Sequence, residues 1–154
     1  MSRNSIKAFA PATVANVSCG FDVLGFAINK PGDEVEIELT TKPGIEITSI
    51  LGDQGKLPKD PKLNSASVSI QSYIDYIGFN DGIKMILNKK MPISSGMGSS
   101  AASAVAGVFA VNEILNNPLK KKDLLKFALQ GEKIACGSVH ADNAAASLLG
   151  GFIL

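Results

Sequence analysis

The sequence is short of cysteine, of charge imbalance and of long apolar runs, and each shortage excludes something. Two cysteines, Cys19 and Cys136, in 154 residues cannot build a disulfide framework, and their spacing fits no zinc pattern, so a reducing cytoplasm is the expected location. No apolar run reaches the about 18 residues that a membrane span needs, and no basic segment leads into an apolar one, so neither a membrane nor secretion is expected. Fifteen Lys and Arg stand against fourteen Asp and Glu. The one short basic run, Lys120 to Lys122, reads as a solvated helix start, and no basic stripe is interleaved with aromatics, so no nucleic-acid partner is expected. There is no GxSxG elbow and no Cys/His/Asp/Glu cluster at metal-ligand spacing, which leaves hydrolase and zinc-enzyme readings without support. Internal repeats and low-complexity segments are also missing.

What is present is a single domain's worth of core, with 45% of residues hydrophobic and 19% charged. DEVEIELT, residues 33–40, sets Val35, Ile37 and Leu39 against Glu34, Glu36 and Glu38, which predicts a half-buried strand. Residues 44–50 and 82–88 repeat the alternation more weakly, and 6–10 predict a short strand before Pro11. Residues 52–63 have no periodicity and predict a loop. Helices are expected over 65–77, over 99–115, where small residues make a helix apolar nearly all round, over 123–136 and over 142–149. Residues 151–154 resemble the opening of another strand, as if the chain stopped inside a larger protein. Strands followed by helices predict an α+β fold, a mostly antiparallel sheet packed against helices.

PISSGMGSSAASA, residues 92–104, carries the first chemistry. Gly96 and Gly98 permit backbone angles closed to other residues and leave room for main-chain N–H groups to approach a ligand. Ser99 and Ser100 then open the buried helix, whose first N–H groups lack partners and whose dipole favours anions. A phosphate cradle fits this pattern; so does a tight turn with Ser99 as an ordinary N-cap. A Walker A loop is excluded, because no lysine follows Gly98. The match of residues 96–101 to G-x-G-x-x-A invites a dinucleotide fold, but no acid ends a hydrophobic strand about 20 residues later. Asp123 lies behind three lysines and begins a helix.

On the helix over 123–136, helical spacing gathers Leu124, Leu125, Ala128, Leu129, Ala135 and Cys136 on one face and puts Glu132 in the middle of it. A buried carboxylate needs a cation, a donor or a polar pocket. A structural ion pair, a helix that ends early at Gly131, and a magnesium ligand all meet that need. Residues 11–25 place Asn16, Ser18 and Asp22 in a loop containing glycine, which alone says little. The only histidine, His140, stands near Asp142 and Asn143, an arrangement structural groups also adopt.

Three stretches in order, PATVANVSCGFDVLG, PISSGMGSSAASA and GSVHADNAAASLLGGF, resemble the N-terminal, phosphate-loop and following helical motifs of the GHMP kinase superfamily and, within it, of the homoserine kinases. The likeness covers nearly the whole chain, although Met97 stands where the family commonly has leucine and Cys19 where many members carry proline. The resemblance implies a two-layer, ribosomal-protein-like fold and ATP-dependent phosphorylation of the side-chain hydroxyl of L-homoserine, a step toward threonine. It implies that Pro92, Ser94, Ser95, Gly96, Met97, Gly98, Ser99, Ser100 and Ala101 hold the ATP phosphates, that Ser100 and Glu132 hold Mg²⁺, and that Asn64 lies near the adenine. Asn16, Asp22, His140 and Asn143 would face the substrate, with Asp22 suited to its amino group, and Asn143, Glu132 and Ser100 would form the catalytic set. Asn143 would orient the hydroxyl rather than deprotonate it; Asp142 is the competing assignment. A homodimer is compatible with all of this. Family members carry a second domain, with a third glycine-rich motif and basic residues for the substrate carboxylate. None of that is present, so residues 1–154 are expected to be the N-terminal ATP-binding domain, inactive alone. Another small-molecule kinase of the superfamily, or an RNA-binding or interaction module, is the alternative.

Overall fold

The computed structural model describes residues 4–17, 20–137 and 141–154, without the side chains of Phe21, Asp22 and Cys136. Strands β1 (Ser5–Val17), β2 (Gly20–Thr40) and β3 (Gly44–Leu51) precede helix α1 (Ser65–Ile77) and strand β4 (Gly82–Asn88). Helix α2 (Ser99–Ile114), a 3₁₀ turn (Lys121–Leu124), helices α3 (Leu125–Cys136) and α4 (Ala141–Leu149) and the short β5 (Phe152–Ile153) complete the chain. The sheet runs β1-β2-β4-β3, with β5 pairing to β2. All pairs are antiparallel except β3 with β4, so the expected mixture of antiparallel sheet and helices is what forms.

Alternation decides which face of the sheet is covered. Val35 and Ile37 of β2 and Ile83, Met85 and Leu87 of β4 are buried, while Glu36 and Glu38 face outward. Burying each such side chain stabilises the fold by about 1.5–3 kcal/mol. α2 lies against this inner face and touches β1, β2, α1, α3 and α4; its alanines and valines are short enough to let five neighbours close on it. Among the described residues, no helix is long and apolar enough to cross a membrane.

One expectation is corrected and one alternative falls away. Residues 11–17 and 20–25 are strand, not loop: β1 continues through Pro11 to Val17 and pairs with β2 down to Val17 and Gly20. Pro11 and the Ala/Gly/Asn content resemble a turn, but β1 is an edge strand with a register shift just after Pro11, and edges and bulges are where a strand tolerates proline. In α3 the helix does not stop at Gly131. A Cβ there would lie 2.3 Å from the Ser65 carbonyl oxygen and 2.9 Å from Ala104 Cβ, so the bare glycine is what lets α1 and α2 press against α3. The buried stripe of α3 is Phe127, Ala128, Gly131 and Glu132, continued by Leu124 of the 3₁₀ turn, with Ala135 exposed. Glu132 is inward as expected.

Candidate functional site

A cavity of about 600 Å³ opens where β4 hands over to α2, a size suited to a small-molecule ligand. Its floor is Leu87, Lys89 and Ser103; one wall is the loop before α1 (Leu57, Pro58, Leu63, Asn64), another is α3 (Glu132, Ile134, Ala135), and the glycine loop with Asn16 and Asn143 closes the rest.

The glycine loop is built on left-handed residues at alternate positions: Ser94, Gly96 and Gly98 have φ of 61°, 74° and 64°. Such alternation curves the chain into a concavity of main-chain N–H groups, the geometry of anion nests. Gly98 is also the N-cap of α2, and no side chain caps that helix, so no side chain takes its first N–H groups, and Gly98, Ser99 and Ser100 border the cavity. The N-cap reading of Ser99 is therefore corrected: its hydroxyl donates to Asp33 Oδ2 at 3.1 Å. Ser100 Oγ is buried and has no hydrogen-bond partner among the described residues, and a hydroxyl in that position suits an oxygen-seeking cation.

Beneath the loop lies a pair that sequence reasoning missed. Asp33, fully buried, forms an ion pair with Lys89 Nζ. Asp33 Oδ1 accepts from the backbone N–H of Lys90 at 2.9 Å and Oδ2 from the hydroxyl of Ser103 at 2.9 Å. Lys89 also donates to the Ser99 carbonyl at 3.0 Å. One carboxylate thus ties the strand end leading into the glycine loop to the first turn of the helix leading out of it. Burial pulls the Lys89 ammonium below its ordinary pKa, against the opposing pull of Asp33 and then Glu132. A signal for the pair was in the alternation: Asp33 shares parity with Val35 and Ile37, and Lys89 with Met85 and Leu87, so both point inward.

The expected site residues divide. Asn16, Asn64, Ser94, Ser95, Gly96, Gly98, Ser99, Ser100, Glu132 and Asn143 line the cavity. Pro92, Met97 and Ala101 are not among its lining: Pro92 is exposed and Ala101 belongs to the core. Ser18, His140 and the side chain of Asp22 lie outside the described residues. Asn64 caps α1, its Oδ1 accepting from Ala66 N at 3.1 Å and its Nδ2 donating to the Pro58 carbonyl at 3.3 Å. Asn143 borders the cavity, while Asp142, its neighbour, is not among the lining residues and accepts from Asn143 N at 2.8 Å.

Gly98 yields a prediction. A Cβ there would fall 2.2 Å from Thr13 Oγ1 and 2.8 Å from Asn143 Oδ1, so the obstruction to a side chain is this pair, in addition to the unfavourable φ. At Gly96 the same Cβ meets nothing within 4 Å, leaving only the left-handed penalty of about 1–2 kcal/mol. Gly98→Val is expected to weaken ADP binding at least tenfold, about 1.4 kcal/mol or more, and Gly96→Ala by much less. Calorimetric titration checks this; equal losses would detach the Gly98 contact from the site.

Residues 64–151, more than half of the chain, match the family model for the GHMP kinases N terminal domain. The chain belongs to the GHMP kinase family. This GHMP kinase chain is 51% identical over 160 residues to the homoserine kinase of Chlorobaculum tepidum, covering 97% of itself and 49% of that protein. It superposes on the crystal structure of homoserine kinase from Cytophaga hutchinsonii with a TM-score of 0.96 at 60% identity, covering 99% of itself and 48% of that chain. Mevalonate kinase of Methanococcus jannaschii, at 23% identity and a TM-score of 0.75, with 96% of this chain and 52% of that one covered, shares the fold. The chain spans about half the length of the relatives it matches.

Proposed function

We propose that the gene product containing this chain transfers the terminal phosphoryl group of ATP to the side-chain hydroxyl of L-homoserine in the cytoplasm, and that this chain supplies the seat for Mg-ATP. The observation that carries the reading is the uncapped start of α2, reached through three alternating left-handed residues and opening on a cavity that also holds Glu132 and a buried serine hydroxyl. The likeness to homoserine kinases at 51% and 60% identity supports the choice of acceptor.

In this reading the N–H groups of residues 94–100 cradle the phosphates, and Leu57, Pro58 and Leu63 beside Asn64 give the nucleobase an apolar wall. Ser100 and Glu132 offer the few oxygen ligands that Mg²⁺ takes from protein when phosphates and water fill its other positions. When bound, Mg²⁺ would neutralise charge on the phosphate oxygens. Homoserine would lie beside Asn16 and Asn143. An amide cannot take the hydroxyl proton, so Asn143 orients, the proton leaves to phosphate or water, and the rate comes from positioning and charge neutralisation. The ligands are two small molecules, without a nucleic-acid or membrane partner.

The test is ADP release by the full-length gene product with Mg-ATP and a panel of hydroxyl compounds. L-Homoserine is expected to give the highest kcat/KM. A larger value with a sugar or mevalonate would assign a different acceptor within the family.

A further inference from the structure

Thr13 is completely buried, was no part of the expected site, and joins the glycine loop to α4. Its backbone N–H donates to the Met97 carbonyl of the glycine loop at 3.1 Å. The hydroxyl donates to Asn143 Oδ1 on α4 at 2.7 Å, across 130 residues of sequence. The strand carrying it is the sheet's edge, which is why a main-chain donor is available there to hold the loop.

These contacts set the orientation of an amide that could otherwise turn over. Asn143 Oδ1 accepts from Thr13, while Nδ2 donates to Asp142 Oδ1 at 3.3 Å. The reversed amide would set its oxygen against the Asp142 carboxylate, with no proton between them. With one N–H on Asp142 and one lone pair of the oxygen on Thr13, the donor left to this cavity-lining side chain is its second N–H. We propose that Thr13 is a positioning residue: its hydroxyl fixes the Asn143 amide so that the cavity meets a donor, which holds an oxygen of the reacting groups. This rests on the kinase reading above and adds to it a residue and a polarity. Bare Gly98 belongs to the same device, since a Cβ there would occupy the space of the hydrogen-bonded pair.

Thr13→Val keeps the shape and removes the donor; Thr13→Ser keeps the donor. In the full-length protein, Thr13→Val is expected to lower kcat with L-homoserine by about 10–100-fold, the range typical of a lost supporting partner, with KM for ATP nearly unchanged and Thr13→Ser close to wild type. In ligand-free protein, the Asn143 side-chain amide NMR signals, assigned by their loss in Asn143→Ala, should shift in Thr13→Val and stay in place in Thr13→Ser. Wild-type kcat in Thr13→Val, or Thr13→Ser as impaired as Thr13→Val, would overturn the assignment, as would an unmoved amide signal. If the wild-type protein phosphorylates no homoserine, the kinase reading fails, and the amide shift still decides whether Thr13 orients Asn143. A Thr13→Val protein that loses ADP binding as severely as kcat would mark Thr13 as loop scaffolding and overturn the positioning role.

Discussion

Asp33→Ala is expected to cost the fold about 3–5 kcal/mol, because it strands the Lys89 ammonium in a site where its side chain is 4% exposed. The loss reaches further than one ion pair. Asp33 also accepts from Lys90 N, Ser99 Oγ and Ser103 Oγ, so its removal frees both ends of the glycine loop. Urea denaturation should show the midpoint falling sharply. Lys89→Met alone would strand the carboxylate in turn, whereas Asp33→Ala combined with Lys89→Met removes both charges and should recover part of the loss, because a buried pair can be replaced by apolar groups at little net cost. A drop below about 1 kcal/mol for Asp33→Ala would put the pair in the class of exposed ion pairs. A double variant no more stable than Asp33→Ala would deny the coupling.

Glu132→Gln is expected to leave the fold in place and to reduce turnover of the full-length kinase by about 100-fold or more, since even groups that only support a metal's ligands are worth 10–100-fold. Glu132 is 7% exposed and borders the cavity. Glutamine keeps its volume and one acceptor oxygen and removes the charge. If that charge serves a divalent cation, the deficit should be greatest at limiting Mg²⁺ and shrink as Mg²⁺ is raised. Circular dichroism and thermal melting test the fold, and steady-state kinetics over a magnesium series test the role. Undiminished activity at limiting Mg²⁺ would remove Glu132 from the metal site and leave it as a companion of Lys89.

Much of the site was legible because its residues violate local rules. Glu132 stood out as an acid on an apolar helix face, and the glycine loop stood out as conformational freedom placed at the mouth of a buried helix; both line the cavity. Legibility fell where a residue's meaning depends on its pairing. Asp33 and Lys89 each resembled an ordinary strand end, and only the antiparallel register joining Glu34 to Asn88 brings them together. Thr13 was invisible for the same reason, its partner lying 130 residues away. Residues 11–25 resemble a loop in sequence because small residues and proline weaken alternation, and because the edge position that makes Pro11 tolerable is a property of the sheet. The choice between Asp142 and Asn143 also needed coordinates, since neighbours on a helix point about 100° apart and only the helix's orientation says which meets the cavity.

The most direct test of the Mg-nucleotide seat is an amide NMR titration of the full-length protein with Mg-ADP. The largest shifts are expected in the backbone N–H groups of residues 94–101, with the magnesium-dependent part lost in Glu132→Gln. Saturable binding that leaves those amides unmoved and shifts another surface would contradict the account.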